Sequence, residues 1–537
     1  MPITATAAKG TVNLMLETAN GEQLALATQA VSATMTGIAA PVGSTGVRYH
    51  IKITNWTTSG SITVTGTGTP ASTETYNIAA PTAQQTQSAQ LASNEYVTVN
   101  AYTAITNITS TGLSNATITV YYIQAGKFQI PSILKSQRKP KVYSPNEHNT
   151  LIERDKKIVH LINETSIDEL KQDVYGDLSL WWPYMMMGAP TIASIPATPT
   201  SIVASTPVTA GSPATFSSPS APTAPGMRLI ITVSSYTVTG TITITGTVNG
   251  IAGTSEVITV SGAGTLYSSN VYSAISSIAN ASYTATIVIT GAFGWQLTFL
   301  SSANKYTAAI EWYDGVGSWT HPFSFFTEGD FDIKALTEAT LTAKGMAQDK
   351  LPLGDRTTTP LSGTNRIASI GTDLSDEPLV GWQTVLYLDA ITGSPLTTTW
   401  VDVQELKVSL KTPDEHHYTF TNSQNFNRAY AVKRECTVDT TINFIDLLQW
   451  EQFRQNLKQY LSFQFLGQYI GTNAGTNYFK SWTWTLPIRS DGVFDISSDP
   501  SKGIVTAKAS FRSEYDTGIG AAYKLVVVTS KPPTYPS

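Results

Sequence analysis

Two charge-poor stretches of the chain alternate β-branched apolar residues with threonine. Residues 61–66 read SITVTG and residues 241–246 read TITITG, and this period of two is that of a strand with one buried face. Glycine or Ser-Asn pairs interrupt such runs every 8 to 12 residues or so. The pattern predicts short antiparallel strands in both stretches.

The two stretches are copies of one internal repeat. Four segments match in order, with the connection before the third about ten residues shorter in the second copy: 46–48 with 226–228, 62–67 with 242–247, 102–108 with 272–278, and 116–120 with 285–289. Repeats of this length are structural units. We therefore predict two immunoglobulin-like β-sandwich modules, residues 1–126 and residues 191–304.

The remaining sequence, residues 127–190 and 305–537, has a different composition. Residues 1–126 contain only seven charged residues, and residues 186–304 contain two, Arg228 and Glu256. The residues just before and after the second copy, 177–182 and 306–312, both look like strands of a charged, aromatic-rich domain. We expect the second module to be inserted into that domain, with the Pro-, Ser- and Thr-rich segment 191–226 as an extended connection.

Within this host domain the pattern predicts one clear helix and several strands. Residues 446–460 read as the helix, because Leu448, Phe453 and Leu457 fall roughly on one face. Residues 151–173 predict one or two short helical stretches or an irregular arm, and Met185, Met186 and Met187 are expected in the core. The predicted strands are 400–410, 430–444, 460–469, 478–488 and 503–515.

Overall composition excludes several classes of protein. Charged residues make up 13% of the 537 residues, and the balance of 33 Lys and Arg against 38 Asp and Glu argues against a nucleic-acid-binding protein. The one cysteine, Cys436, excludes an internal disulfide framework. We find no signal peptide and no apolar run long enough to span a membrane, so we expect a soluble protein made in a cytoplasm.

A search for catalytic or metal-binding groups gives weak candidates. His416 and His417 are expected in an exposed hairpin loop, and Cys436 is expected to be a small buried hydrophobe. Carboxylate pairs such as Glu311 with Asp314 and Asp330 with Asp332 are no more frequent than chance, and residues 315–317 lack the context of a phosphate-binding loop. We predict no enzyme activity, no metal and no cofactor.

Two groups of residues are candidates for contacts between protein subunits. One is aromatic and consists of Trp312, Tyr313 and Trp319, since large aromatic residues on strands belong more often to a core or an interface than to a sugar-binding site. The other is a basic run with four members, Lys135, Arg138, Lys139 and Lys141. This run either contacts an acidic partner or phosphate, or is a solvated connecting arm.

Several host-domain segments resemble the major tail tube proteins of long-tailed, siphovirus-like bacteriophages. The resemblance is strongest from 305 to 520 and rests on segments in this order: 308–314 (AAIEWYD), 321–323 (HPF), 403–410, 437–444, the helix with Trp450 and Phe453, 460–465 and 484–488 (WTLPI). It implies a tail-tube β-sandwich or barrel core with a flanking helix. It also leaves open whether the chain holds two related tube modules, 145–345 and 395–537, forming trimeric rings, or one module in a hexamer.

The resemblance further implies a role and partners. Copies of the chain would form trimeric or hexameric rings that stack into a hollow tube, with segments 127–176 and 345–400 as connecting arms. Partners would be the tape measure protein and the tail terminator or tail tip proteins, and DNA would pass without specific binding. The location would be the virion tail, assembled in the host cytoplasm, with the two modules as outer decoration.

Two other functions remain open. A receptor-binding or adhesive surface protein, with the Thr-rich modules as its working parts, is the main alternative. A polysaccharide-acting enzyme with two sugar-binding modules is the third, and the lack of an acid/base pair makes it the weakest.

Overall fold

A computed structural model describes most of the chain. The described residues are 11–17, 25–30, 35–39, 48–54, 56–68, 72–78, 93–98, 102–114, 116–129, 134–143, 157–177, 179–196, 199–208, 215–216, 222, 226–237, 240–248, 250–260, 262–281, 284–301, 305–313, 318–348, 351–352, 378–400, 402–417, 428–431, 434–444, 447–473, 476–499 and 504–530.

The first half of the described chain consists of strands and one helix. In order these are β1 (Thr11–Glu17), β2 (Ala25–Ala30), β3 (Met35–Ala39), β4 (Arg48–Thr54), β5 (Gly60–Gly68), β6 (Ser72–Ile78), β7 (Ser93–Val97), β8 (Tyr102–Thr111), β9 (Thr117–Gln129), β10 (Leu134–Tyr143), β11 (Lys157–Asp173), α1 (Trp181–Met187), β12 (Thr191–Ile195), β13 (Thr200–Val208), β14 (Thr215–Phe216), β15 (Met227–Ser234), β16 (Gly240–Val248), β17 (Ile251–Val260), β18 (Gly264–Ala281) and β19 (Ala285–Ala292).

The second half continues in the same way. It contains β20 (Gly294–Leu300), β21 (Thr307–Tyr313), β22 (Ser318–Lys334), β23 (Thr340–Gln348), β24 (Leu351–Pro352), a short 3-10 helix (Gly381–Gln383), β25 (Thr384–Ala390), β26 (Val403–Lys411), β27 (Asp414–His417), β28 (Arg428–Ala431), β29 (Glu435–Asn443), α2 (Leu447–Arg454), β30 (Gln459–Asn473), β31 (Thr476–Asp499), β32 (Ile504–Ser513) and β33 (Lys524–Thr529).

The predicted mainly-β fold is confirmed. Strands account for 73% and helices for 5% of the structure, arranged in several antiparallel sheets. The fold is therefore organised by pairing between strands, many of which are distant in sequence. Most of these pairings cannot be predicted from short segments of the chain.

The core of the molecule is a sandwich of two antiparallel sheets that share β31. One sheet has the order β12, β20, β33, β31, β30 and β25. The other runs β32, β29, β26, β22, β23, β11 and β10. Strand β31 pairs with β33 and β30 up to Ile488 and with β32 from Ile488 onward, and it has a bulge between Ser490 and Phe494. This one long strand thus carries the chain from one layer to the other.

The two layers meet through aromatic side chains. The ring of Phe331 on β22 lies 5.9 Å from that of Trp482 and 5.8 Å from that of Trp484, both on β31 in the opposite layer. Alternation along the strands supplies this face. In β26, Leu406, Val408 and Leu410 are buried, and the residues between them face outward.

Helix α1 lies inside the core rather than on its surface. All seven of its residues are buried. The indole nitrogen of Trp182 donates to the carbonyl oxygen of Thr342 at 2.8 Å, and its ring packs edge-on against Trp484 at 6.1 Å. A Cβ at Gly329 would lie 3.0 Å from Met186, so glycine on β22 allows this close approach. A helix apolar all round is expected only where it is enclosed.

Each copy of the repeat forms its own two-sheet unit with the same strand order. In the first copy the sheets are β2–β9–β4–β7 and β3–β8–β5–β6. In the second they are β13–β19–β15–β18 and β14–β18–β16–β17. The long strand β18 corresponds to both β7 and β8 of the first copy. Separate hydrophobic clusters fill the two units. The sequence repeat is therefore a structural repeat.

The strands at the ends of each repeat belong to a second set of pairings. Strand β1 pairs with the distal half of β9 and with β21, while β12 pairs with β20, which also pairs with β33. The predicted domain limits at 126, 191 and 304 stay predictions. However, β12 and β20, which flank the second unit, pair with each other, and β20 also pairs with β33 of the core. Strand β1 and the distal half of β9, which flank the first unit, also pair with each other, and β1 also pairs with β21.

Several local predictions need correction. Residues 157–173 form strand β11 instead of a helix, because they pair with β10 and β23. The predicted strand 177–182 is wrong at its end, where Trp181 and Trp182 begin helix α1, and the predicted connection 191–226 contains β12, β13 and β14. His416 and His417 lie in β27, paired with β28, and not in a loop. Glycines 315 and 317 lie outside the described residues.

The predicted helix, the five predicted strands and the predicted core residues of the host domain are confirmed. The predicted helix is α2, shortened to Leu447–Arg454, and the five predicted strands correspond to β26, β29, β30, β31 and β32. Met185, Met186, Met187 and Cys436 are buried in the main core.

Candidate functional site

The predicted contact residues lie on two long hairpins. Lys135, Arg138, Lys139 and Lys141 are all in β10, which pairs with β11. Trp312 and Tyr313 are in β21, and Trp319 is in β22 directly opposite Trp312. The structure therefore separates the basic run from the aromatic group by placing them in different hairpins.

Both hairpins leave the core at the same end of β23. Strand β11 pairs with β23 only from Glu164 onward, and strand β22 pairs with β23 only from Phe325 onward. Lys141 pairs with Val159, five residues before Glu164, which is roughly 17 Å beyond β23 at about 3.3 Å per residue. Trp319 precedes Phe325 by six residues. The two predicted groups thus project in the same direction from the core.

Strand β12 is a five-residue edge strand of the core sandwich, with Pro190 before it and Pro196 after it. It pairs only with β20 among the described residues, and its sequence from Thr191 to Ile195 contains no charge and no proline. Ile192 is 43% exposed. Soluble proteins commonly blunt such edges with lysine, proline or a covering segment. By contrast, β10 carries Pro140 among its basic residues, and β25 is covered by residues 398–400 through bonds to Leu386 and Leu388.

A buried ion pair fixes the end of the chain to the core. Lys480 Nζ lies 2.7 Å from Asp177 Oδ2, and neither side chain is appreciably exposed. The carboxylate also accepts from the Thr529 hydroxyl at 2.6 Å and from the Ser530 hydroxyl at 2.6 Å. Burial opposes ionisation of Asp177, but the charge of Lys480 and these hydrogen bonds outweigh it and hold the pKa of the carboxyl below its ordinary value.

The second repeat unit is fastened to the core beside this ion pair. Arg228 donates from Nε to the carbonyl oxygen of Ser530 at 2.9 Å. Met227 and Phe293 form a small buried cluster with Ile470 of β30. A Cβ at Gly471 would collide with the Phe293 ring, so this contact depends on glycine. The unit is therefore held by packing and hydrogen bonds as well as by its two connecting strands.

One of the two charges in the second unit serves its own fold. The Tyr272 hydroxyl donates to Glu256 Oε2 at 3.0 Å, across β16. A Cβ at Gly246 would lie 2.8 Å from the Tyr272 ring, so glycine lets the ring pass over that strand. In the first unit Tyr102 donates to Glu74 Oε1 at 3.0 Å. Glu74 lies opposite Val64 as Glu256 lies opposite Ile244, so both copies carry the same bond.

The acidic residues of β22 pair with lysine on the outer face of the sandwich. Asp330 Oδ2 lies 2.9 Å from Lys407 Nζ. Burial raises the pKa of Asp332, with Lys407 opposing and Asp330 adding to the rise. This row of alternating charges is typical of a wetted sheet face rather than of an acid/base pair.

Helix α2 covers an aromatic cluster at the far end of β31. Phe453 lies 4.9 Å from Phe494 between ring centres, and Trp450 lies 5.2 Å from the same ring. Phe444, Asp495 and Ile496 complete a shallow groove beside Trp450. This helix is the one that the sequence predicted at 446–460.

The described residues hold no metal-ligating cluster. No three of their His, Cys, Asp and Glu side chains come together as a metal-ligating set. Burial raises the pKa of Cys436 far above its ordinary value, which keeps its thiol protonated and unreactive. Neither α1 nor α2 has the length and hydropathy of a membrane-spanning helix.

Sequence reasoning missed three features of this region: the β12 edge, the Asp177–Lys480 pair and the Tyr272–Glu256 bond. The Tyr272–Glu256 bond left a signal in the sequence, because the two charged residues of the second copy, Arg228 and Glu256, both have counterparts in the first copy. The other two depend on which strands become neighbours, and no local pattern shows that.

Comparison with known proteins assigns this chain to no family. No protein-family model matches the chain, and no curated protein matches it. Solved structures similar to it include the PBSX exported protein XepA, at 9% identity and a TM-score of 0.14, over 51% of this chain and 88% of that one. A likeness at this level carries no argument about function, and it does not confirm a tail tube protein.

Proposed function

We propose that this chain is a structural virion protein that assembles into stacked rings and so forms the hollow tail tube of a long-tailed bacteriophage. In this proposal DNA passes through the tube without specific binding, and the chain is not an enzyme. The tape measure and the tail terminator or tip proteins are the partners expected from the sequence resemblance.

The observation that carries the proposal is the uncharged edge strand β12, which pairs with β20 alone among the described residues. An uncharged strand with free backbone groups is a template for pairing with a strand of another chain. A ring requires each copy to offer one surface to the neighbour on each side. Pairing at β12 supplies one of those two joints and extends the core sheet from one copy to the next.

Two further features support the same proposal. The sandwich core with its flanking helix matches the architecture that the resemblance implies. The two repeat units share their strand order and are attached through β1 with β9 and through β12 with β20. Such units serve as decoration in this proposal, while the core makes the ring.

The test is the assembly state of the purified full chain at high concentration, by sedimentation velocity and negative-stain electron microscopy. We expect rings and short tubes. The variant Ile192→Lys/Ala193→Lys places charge on the exposed β12 edge and should abolish rings while leaving the monomer folded. Ile251→Lys, at a residue 68% exposed on the second repeat unit, is the matched control and should assemble normally.

Two outcomes contradict the proposal. Persistent monomers or compact trimers of the unmodified chain would reject self-assembly into tubes and favour the adhesive alternative. Rings that form equally well with the charged β12 edge would show that β12 is not the joint.

A further inference from the structure

The core sandwich contains a second, more divergent repeat. Residues 318–333 and 481–496 align without a gap and share Ser-Trp-Thr at the start and Gly-x-Phe-Asp-Ile at the end. These residues lie in β22 and β31. A shorter match, Asp-Leu-x-x-Trp, relates 177–181 to 446–450, where α1 and α2 begin. Matches of this kind at two places in the chain indicate two related structural units.

The strand pairing repeats in the same order. Strand β22 pairs first with β21 and then with β23, as β31 pairs first with β30 and then with β32. Strand β11 pairs with β10 and β23, as β29 pairs with β26 and β32. We call β10, β11, α1 and β21 to β23 the first half of the core, and β26, β29, α2 and β30 to β32 the second half. The two halves are joined where β22 pairs with β26.

Inside the chain, the second half covers the shared Phe-Asp-Ile motif of the first half. Phe331 is fully buried, and its ring lies 5.7 Å from that of Phe465 and 5.9 Å from that of Trp482. Ile333 is 5% exposed and is paired with Leu406 of β26. The three covering residues all belong to the second half.

The counterparts of these residues in the second half are open to solvent. Phe494 is only half-buried, and Ile496 is 53% exposed. Trp450 in α2 is 37% exposed, whereas its counterpart in α1, Trp181, is 4% exposed. Phe494, Ile496 and Trp450 line the groove beside α2, which we call the α2 groove. The same motif is therefore enclosed in one half of the core and exposed in the other.

We propose that the α2 groove is the docking surface for β21 and the first part of β22 in a second copy of this chain. These strands are the counterparts of β30 and the first part of β31, which cover Phe331 inside the chain. The contact between the halves of one copy would thus be repeated between the second half of one copy and the first half of the next.

The aromatic residues of the two covering pairs of strands correspond. Trp319 aligns with Trp482. Trp312 lies opposite Trp319 in the β21–β22 pair, and Phe465 lies opposite Trp482 in the β30–β31 pair. The second copy would therefore place Trp312 and Trp319 against Phe494. This arrangement repeats the one that Phe465 and Trp482 form with the counterpart of Phe494, and buried aromatic residues are common anchors of interfaces.

This inference rests on the proposed function, since it assigns a contact between neighbouring copies in one ring. The two surfaces are different, so each copy offers the α2 groove to one neighbour and β21 with β22 to the other. Contacts of this head-to-tail kind close into rings when the rotation permits.

The first experiment alters the groove alone and follows assembly by sedimentation velocity. Ile496→Lys should raise the protein concentration at which rings form by about tenfold or more, because it places a charge in an apolar contact. Val257→Lys, at a residue 63% exposed on the second repeat unit, is the matched control and should assemble normally. Both side chains are exposed, so both variants should keep the thermal unfolding midpoint of the unmodified protein.

Cross-linking between copies tests the named partner. One preparation of the full chain carries Ile496→Cys and the other carries Ser318→Cys, which is next to Trp319 in β22. The native Cys436 is buried. Mixed in equal amounts with a short bismaleimide, the two should form a covalent dimer whose linked peptides contain positions 496 and 318. Ile251→Cys in place of Ile496→Cys should give no such product.

The outcomes separate this inference from the proposed function. Unmodified protein that stays monomeric rejects the proposed function, and the groove contact falls with it. Rings that form at an unchanged concentration with Ile496→Lys overturn the inference alone. A cross-link that joins two copies at position 496 would show a two-fold contact and reject β21 and β22 as the occupant. Rings of Ile496→Lys that form normally but stack poorly would place the groove between rings and also overturn the inference.

Discussion

Lys480 lies 2.7 Å from Asp177 inside the protein, and the two residues come from segments about 300 positions apart. The carboxylate also bonds to Thr529 and Ser530 at the end of β33. Through Ser530 the same site reaches Arg228 at the base of the second repeat unit. This one ion pair therefore connects the segment before α1, strand β31, strand β33 and the repeat unit.

Replacing Asp177 with alanine should destabilise the protein by about 3 to 5 kcal/mol, because it leaves the Lys480 ammonium buried without its partner. Thermal or denaturant unfolding measures the loss. Adding Lys480→Met in the same chain should restore much of the stability. Arg512→Gln, which breaks an exposed pair with Glu514, is the control and should cost no more than about 1 kcal/mol. Equal effects of the two single changes would contradict the buried role of Asp177.

The same pair predicts how stability depends on pH. The pKa of Asp177 is lower in the folded protein than in the unfolded chain. The stability that this shift contributes is therefore fully present above the ordinary aspartate pKa, and it is lost as the pH falls through the pKa of the folded state. Unfolding of the native protein in urea, measured from pH 7 downward, should show this loss, and Asp177→Ala/Lys480→Met should show less of it. If the stability of the two proteins changed with pH in the same way, Asp177 would not be the group responsible for the loss.

Tyr272→Phe should loosen the second repeat unit, because Glu256 loses the hydroxyl that binds it across β16. We expect a loss of about 1 to 3 kcal/mol in local stability, measured as faster amide hydrogen exchange in β16, β17 and β18. Tyr515→Phe, at an exposed position, is the control. Unchanged exchange in these strands would show that the bond contributes nothing.

Phe331→Ala should be among the most damaging changes in the core. The ring lies between Phe463, Phe465, Trp482 and Trp484 of the opposite sheet, so its loss leaves a cavity at the centre of the sandwich. The expected cost is about 3 to 5 kcal/mol in the free energy of unfolding. Tyr515→Ala should change stability by about 0.5 kcal/mol or less, and a similar small effect of Phe331→Ala would contradict the position of its ring.

Replacing residues 197–292 with a short Gly-Ser turn should leave the core folded. Ile195 of β12 is paired with Gly294 of β20, so the two ends of the removed segment are already neighbours. We expect the shortened protein to unfold cooperatively and to form rings of smaller outer diameter, visible by electron microscopy.

A longer deletion, of residues 191–304, is the informative comparison. It also removes β12 and β20 and with them two strands of one core sheet. It should fail to fold or to assemble. Normal assembly of the longer deletion would show that these strands are dispensable.

Parts of the fold and of the candidate site follow from local patterns. Period-two alternation identifies β5, β16, β26 and β29, and the matched segments of the repeat identify two units of equal strand order. The burial of Cys436 also follows from the residues beside it in sequence. The same holds for Met185, Met186 and Met187. The contact residues on β10 and β21 were picked out by residue type, and their use in assembly stays a prediction.

Other features were wrong or missing where tertiary context overrides local preference. Residues 157–173 have apolar positions compatible with a helix, but two neighbouring strands recruit them into a sheet. Trp181 and Trp182 end the predicted strand 177–182, yet they begin helix α1, all seven residues of which are buried in the core between the two sheets.

The sequence by itself determined that this is a mainly-β protein with a duplicated, charge-poor unit and a charged, aromatic-rich remainder, because strand periodicity and repeats are local properties. Only the tertiary structure decided that β12 lies at the edge of a core sheet in the described part of the chain and that Asp177 meets Lys480. These relationships arise from long-range strand pairing, whose partners are selected by burial of the shared core rather than by any short segment of the chain.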